Sequence, residues 1–122
     1  MSTRVLIVES EPDLGAVWQR HLERSGATVE AVHSQDEAVA RIGARPFDVI
    51  VLDLVLKEGS AFAVADYASY RQPAARVVFV TSTSFFSDGS IFRHIPNAFA
   101  FLPRGTRPED LAAVVEHHGR PH

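Results

Sequence analysis

The 122-residue chain contains no cysteine, one tryptophan and only two tyrosines. Without cysteine, disulfide bonds and thiolate metal sites are excluded. No apolar run approaches the roughly 20 residues that a membrane-spanning helix needs, and Met1-Ser2-Thr3 does not begin a signal peptide. The chain has no excess of positive charge, since its net charge is −3. The composition therefore does not indicate a basic surface that binds nucleic acid. These absences predict a cytoplasmic protein that binds neither nucleic acid nor a membrane.

Apolar and polar stretches alternate regularly along the chain. Hydrophobic residues make up 46% and charged residues 22%, which is ordinary for one globular domain. Helix starts are indicated by two sequences with capping-box spacing, Ser34-x-x-Glu37 and Thr106-x-x-Glu109. The pattern predicts strands at 4–8, 28–32, 48–53, 76–81 and 98–103, and helices at 12–26, 34–42, 60–70, 90–94 and after 106.

This alternation predicts an α/β fold. Strands alternating with helices favour a doubly wound five-stranded parallel sheet covered on both faces, and the order 2-1-3-4-5 gives a flavodoxin-like three-layer sandwich. We expect residues 1–122 to form a single domain with its core in 4–118.

Polar residues follow four of the predicted strands. Glu9 and Ser10 follow the first, Asp53 the third, Thr81 the fourth and Arg104 the fifth. The carboxyl ends of parallel strands meet at one edge of a sheet, where ligands bind in this class of fold. Carboxylate and hydroxyl oxygens suit Mg²⁺, and a cation beside them suits a phosphoryl group. Asp53 could then attack phosphorus as a nucleophile, while Thr81 and Arg104 hold the phosphoryl oxygens.

Four stretches carry a resemblance to a known family. They are VLIVESEPDLG, DVIVLDLVLKEGS, VVFVTS and NAFAFLPRG, in that order along nearly the whole chain. Together they resemble the receiver domain of two-component response regulators. The resemblance implies that Asp53 accepts a phosphoryl group from a sensor histidine kinase or a phosphotransfer protein, with Mg²⁺. The metal ligands it implies are Glu9, Asp53 and the backbone carbonyl of Val55.

The resemblance also implies a switch. The Thr81 hydroxyl would engage the phosphoryl group, and Phe101 would swing inward. The surface of the fourth helix, fifth strand and fifth helix would then change and be read by a downstream protein or a second copy of the chain. Phe85 and Phe86, adjacent in a loop just after Thr81, are predicted to form a partner-docking patch; burial under the last helix is the alternative.

Three positions depart from the family pattern. Ser10 stands where a second acid is usual, Arg104 replaces the usual lysine, and Gly105 replaces the usual proline. Ser10 is a doubtful ligand, so Mg²⁺ binding is expected to be weak; a helix N-cap, suggested by Ser10-x-x-Asp13, is the preferred interpretation. Arg104 keeps the charge but has a different shape. The peptide bond before Gly105 is expected to be trans.

Simpler interpretations stay open for the other positions. Glu9 is either a ligand or a solvated charge. Asp53 could only end a strand, Thr81 could be strand packing, Arg104 could be a surface cation, and Phe101 could belong to the core.

Two classes of function remain. The first is a phosphorylatable receiver, a signalling domain that catalyses only phosphotransfer onto its own Asp53. The alternative is a receiver-like interaction module that does not depend on phosphorylation. A hydrolase of the aspartyl-phosphate type fits poorly, because Val55 stands where such enzymes carry a second aspartate and no cap domain is present. No output domain follows residue 119, so we expect either a stand-alone receiver or a shortened chain.

Overall fold

The structure consists of one parallel sheet covered by helices on both faces. The computed structural model describes residues 3–81, 98–103 and 105–119. In chain order, the helices and strands are β1 (Arg4–Val8), α1 (Pro12–Arg24), β2 (Thr28–Val32), α2 (Gln35–Ala44), β3 (Val49–Asp53), α3 (Ala61–Arg71), β4 (Arg76–Thr81), β5 (Ala98–Pro103) and α4 (Pro108–Gly119). The strands are ordered β2-β1-β3-β4-β5, so the predicted topology is confirmed.

Side chains of each strand alternate between two apolar layers, because successive residues of a strand point to opposite faces of the sheet. In β1, Leu6 and Val8 belong to the layer beneath α2 and α3, whereas Val5 and Ile7 belong to the layer beneath α1 and α4. Trp18 fills the second layer and is almost completely buried. The strands β1, β3 and β4 are buried nearly throughout, as expected for parallel strands with helices on both sides.

Serine side chains cap the N-termini of two helices, α2 and α3. Ser34 Oγ accepts the N–H of Glu37 at 3.3 Å, as predicted for α2. In a capping box, the Glu37 carboxylate would accept the N–H of Ser34 itself. Here it accepts the N–H of the preceding residue, His33, at 3.1 Å. Ser60 Oγ accepts the N–H of Ala63 at 3.3 Å and caps α3 in the same way. Each serine satisfies a first-turn N–H that has no partner within its helix.

The last helix begins later than predicted. α4 starts at Pro108, which suits the first helical position because it has no N–H to leave unpaired. Thr106 therefore does not directly precede the helix, and the capping box predicted with Glu109 is wrong. Glu109 instead pairs with Arg107 at 3.2 Å. The predicted helix at 90–94 lies outside the described residues.

None of the helices in the described part of the chain is long and apolar enough to cross a bilayer.

Candidate functional site

Asp53 is the last residue of β3, a central strand between β1 and β4. Its side chain is buried, with 2% exposed. Its Oδ1 accepts the N–H of Val55 at 3.1 Å, which fixes the orientation of the carboxylate. The N–H of Leu54 donates to the Val80 carbonyl at 2.8 Å, so the chain leaving β3 stays against β4. A buried carboxylate therefore lies in a fixed orientation at the carboxyl edge of the sheet, where such folds bind ligands.

Glu9 follows β1 and is completely buried, so the alternative of a solvated charge is wrong. Its Oε2 accepts the N–H of Glu11 at 2.7 Å. Its stem lies beneath Gly15 in α1, since a Cβ built on that glycine would be 3.8 Å from the Glu9 Cβ. Val8 is paired with Leu52 between β1 and β3, and Glu9 therefore lies at the strand end next to that of Asp53. The sheet brings these two carboxylates to the same part of its edge.

Ser10 is not the N-cap of α1. Glu11 occupies that position and makes no capping hydrogen bond through its side chain. The Ser10 Oγ accepts the N–H of Lys57 at 2.8 Å, across to the loop between β3 and α3. The Lys57 ammonium group pairs with Glu11 Oε1 at 2.5 Å. The hydroxyl therefore joins two loops. Lys57 could not be identified in advance as its partner, because 47 residues separate it from Ser10.

His33, which directly follows β2, was not among the predicted site residues. Its Nδ1 lies 3.0 Å from the main-chain carbonyl of Glu9. A carbonyl oxygen only accepts hydrogen bonds, so Nδ1 carries the proton in this contact. His33 thus holds the chain immediately after β1. The polar residues that follow the other four strands were considered as site residues. Including the polar residue that follows the second strand would have identified His33.

The loop between β3 and α3, residues 54–60, is also attached to α2. The N–H of Ser60 donates to Gln35 Oε1 at 2.8 Å, and the N–H of Gln35 donates to the Glu58 carbonyl at 3.1 Å. Gly59 lies at this contact with a φ of 98°, in the left-handed region that favours glycine. A Cβ there would be 2.3 Å from the Gln35 Cβ, so the close approach leaves no space for a side chain.

We expect Gly59→Ala to destabilise the domain more than Gly26→Ala. Gly26 has a similar φ of 101°, but a Cβ there would meet nothing within 4 Å. Both changes add the backbone strain of about 1 kcal/mol, whereas only Gly59→Ala adds a steric clash with Gln35. Urea unfolding of both variants measures the difference. Equal losses in the free energy of unfolding would show that the loop moves away from α2 at little cost.

Thr81 and Phe101 lie on the neighbouring strands β4 and β5. Thr81 ends β4 and is mostly buried, at 9% exposed. Phe101 is half-buried and stacks on Phe79, with ring centroids 5.1 Å apart and an interplanar angle of 19°. Phe79 precedes Thr81 by two residues, so both side chains leave the same face of the sheet. This stacking connects Phe101 to the strand that ends at Thr81.

Three predicted site residues cannot be placed. Arg104, Phe85 and Phe86 lie outside the described residues, and so does the peptide bond before Gly105. Their predicted roles stay predictions.

Only part of a metal-binding set is present in the described ranges. The carboxylates of Glu9 and Asp53 are oxygen donors of the kind that hard divalent cations prefer. The Ser10 hydroxyl is engaged with Lys57 instead. Within residues 3–81, 98–103 and 105–119, no group of three or more histidine, cysteine or acidic side chains is arranged to hold a metal ion.

Comparison with known proteins supports the architecture. A family model for the response regulator receiver domain matches residues 5–116. The response regulator protein PilR from Pseudomonas aeruginosa is 29% identical over 113 residues, covering 93% of this chain but only 24% of PilR. The non-phosphorylated HemR receiver domain from Leptospira biflexa has a TM-score of 0.86 and 25% identity, and the match covers 99% of both chains.

A more distant structure holds ligands. It is a response regulator from Burkholderia pseudomallei with a phosphorylated aspartic acid, a calcium ion and citrate. Its TM-score is 0.81 at 24% identity, covering 95% of this chain and 72% of that one. This likeness concerns the fold. The family match, which extends over most of the chain, and the sheet order show that the chain belongs to the receiver domains of two-component response regulators.

Proposed function

We propose that this receiver domain accepts a phosphoryl group on Asp53 from a sensor histidine kinase or a phosphotransfer protein. Receiver domains are signalling domains, and response regulators interact with histidine kinases and downstream effectors. The observation that carries the proposal is the Asp53 carboxylate, buried at the carboxyl end of a central strand and held by the Val55 N–H. A cytoplasmic location and a single domain over residues 1–122 form part of the same proposal.

The reaction uses the Asp53 carboxylate as a nucleophile. One of its oxygens forms a bond to phosphorus while the P–N bond of a phosphohistidine breaks, and the leaving imidazole nitrogen keeps the electron pair. The Val55 N–H already occupies Oδ1, so Oδ2 is the attacking oxygen in this proposal. Thr81, at the end of the neighbouring strand, then supplies a hydroxyl to a phosphoryl oxygen. Arg104 follows β5 in the sequence and supplies a planar pair of donors to the same group.

Receiver domains generally bind Mg²⁺ at this acidic edge. In this chain, Glu9, Asp53 and the Val55 carbonyl would hold the cation. Mg²⁺ would supply positive charge that offsets the repulsion between the carboxylates and an incoming phosphoryl group. We expect weak binding, because Ser10 brings no charge and its hydroxyl is engaged with Lys57.

The output of the domain is proposed to depend on Thr81 and Phe101. Movement of Thr81 toward a phosphoryl group would act on Phe79, two residues earlier in β4, and on Phe101, which stacks on it. A change there would be transmitted to β5 and α4. The partner is then a downstream protein or a second copy of the chain, bound through this surface and the helix expected before β5. Phe85 and Phe86 are proposed as part of the docking patch.

The alternative function, an interaction module independent of phosphorylation, has less support. Both Asp53 and Thr81 are present and lie at the ends of adjacent central strands. A module without phosphotransfer would not need either side chain.

Phosphotransfer from a panel of histidine kinases, followed on Phos-tag gels, tests the proposal. We expect a retarded band that hydroxylamine removes, since an acyl phosphate on aspartate is cleaved by hydroxylamine and a phosphoserine is not. A related receiver domain of known activity serves as the positive control. The proposal would be wrong if neither the kinases nor a small phosphodonor with Mg²⁺ added a phosphoryl group.

A further inference from the structure

Two loops flank Asp53 and are joined directly. One, residues 9–11, connects β1 to α1; the other, residues 54–60, connects β3 to α3. The Lys57 N–H donates to Ser10 Oγ at 2.8 Å, and the Lys57 ammonium group pairs with Glu11 Oε1. We call these two contacts the Ser10–Lys57 bridge. Both contacts are made between groups of the protein and need no metal ion.

The hydrogen bond is the stronger part of the bridge. The side chains of the ion pair are 70% and 46% exposed, and ion pairs at such exposed positions contribute little. Ser10 is only partly exposed, and it accepts from a main-chain N–H, whose position is fixed by the loop backbone. Removing the Ser10 hydroxyl should therefore affect the loops more than removing the Lys57 side chain.

The Ser10–Lys57 bridge is close in sequence to Asp53, the proposed reacting group. Val55, whose N–H orients Asp53, is two residues before Lys57. The far end of the same loop is held on α2 through Gln35. The loop is therefore attached on both sides, and its position sets the position of the Val55 N–H.

Position 10 adds no negative charge to this edge of the sheet. Glu9 and Asp53 are already buried carboxylates. A third carboxylate at position 10 would repel them, and a divalent cation would be needed to hold the loops together. A neutral hydroxyl causes no such repulsion.

We infer that Ser10 is a positioning residue, whose hydroxyl holds the loop after Asp53 against the loop after β1 and so replaces a divalent cation in ordering the two loops. The inference takes Asp53 as the reacting group from the proposed function, but the order of the loops can be measured without phosphorylation.

Hydrogen exchange read by NMR at the Lys57 amide tests this inference. In the wild type, chelation of divalent cations with EDTA should leave the exchange rate of this amide unchanged. Ser10→Ala should raise the rate about three- to tenfold, the effect of losing one hydrogen bond. Ser10→Thr keeps the hydroxyl and should retain the protection. Glu58→Ala is the matched control, because Glu58 lies next to Lys57 and the substitution keeps the main-chain carbonyl that accepts the N–H of Gln35.

Ser10→Asp gives a second, independent readout. In EDTA, the amides of residues 54–60 should exchange faster than in the wild type, and Mg²⁺ should restore their protection. Mg²⁺ affinity, followed by the fluorescence of Trp18 or by NMR, should increase in the same variant. A merely structural role of Ser10 would not make exchange dependent on Mg²⁺.

Two results would overturn the inference. One is a wild-type Lys57 amide that Mg²⁺ protects tenfold or more over EDTA. The other is an unchanged rate at this amide in Ser10→Ala. Neither result depends on phosphotransfer, because both are measured on the unphosphorylated domain. Conversely, a failure of Asp53 to be phosphorylated would leave the exchange result intact.

Discussion

Replacing Asp53 with asparagine should abolish phosphorylation of the domain by a small phosphodonor in the presence of Mg²⁺. Asparagine has nearly the same shape, and its side-chain oxygen can still accept the Val55 N–H that orients Asp53. The neutral amide, however, is not a nucleophile comparable to a carboxylate, and no acyl phosphate can form on it. Intact-mass spectrometry should show one added phosphoryl group on the wild type, formed slowly, and none on the variant.

The control for this experiment is Asp66→Asn. Asp66 is exposed on α3 and loses its charge in the same way, so it corrects for the change in net charge. We expect this variant to be labelled at the wild-type rate. If Asp53→Asn were labelled as well as the wild type, another residue would be the acceptor and the proposed function would fail.

Phe79→Ala should lower the free energy of unfolding by about 3–5 kcal/mol, the usual cost of removing a buried aromatic side chain. Phe79 has no exposed surface and stacks on Phe101 across the β4–β5 pair. β4 is hydrogen-bonded to β3 on one side and to β5 on the other, so the sheet cannot close the cavity by moving one strand. Such a loss is a large part of the 5–15 kcal/mol typical of a domain. Urea unfolding, followed by Trp18 fluorescence, measures it.

Phe62→Ala is the matched control, because it removes the same side chain from a position on α3 that is 44% exposed. Its cost should be smaller, about 1–1.5 kcal/mol, since the side chain is only about half buried. A loss below about 1 kcal/mol for Phe79→Ala would contradict the packing described for β4 and β5. It would also remove the physical connection proposed between Phe101 and Thr81.

Helix starts illustrate how far local sequence determines structure. Ser34 caps α2 as predicted, because its partner Glu37 is three residues away and the contact forms within one turn. The same reasoning was wrong for Ser10, which has an equally suitable spacing to Asp13. The difference is a long-range competitor, because the Lys57 N–H lies within hydrogen-bond distance of the Ser10 hydroxyl in the folded state. A capping pattern therefore predicts a cap only where no other part of the chain offers the hydroxyl a partner.

The order of the strands and helices, and the residues at the strand ends, could be predicted from local sequence patterns. Short, nearly continuous apolar runs and helices with an apolar period of 3.6 are local properties, and a parallel sheet must bring the ends of its central strands together. Glu9, Asp53 and Thr81 could therefore be assigned to one edge in advance. The contacts of each polar atom, in contrast, depend on the folded chain. The burial of Glu9 beneath Gly15, and the Ser10–Lys57 bridge, depend on how α1 and the loop after β3 pack against the edge, and such long-range packing leaves no periodic signal in the sequence.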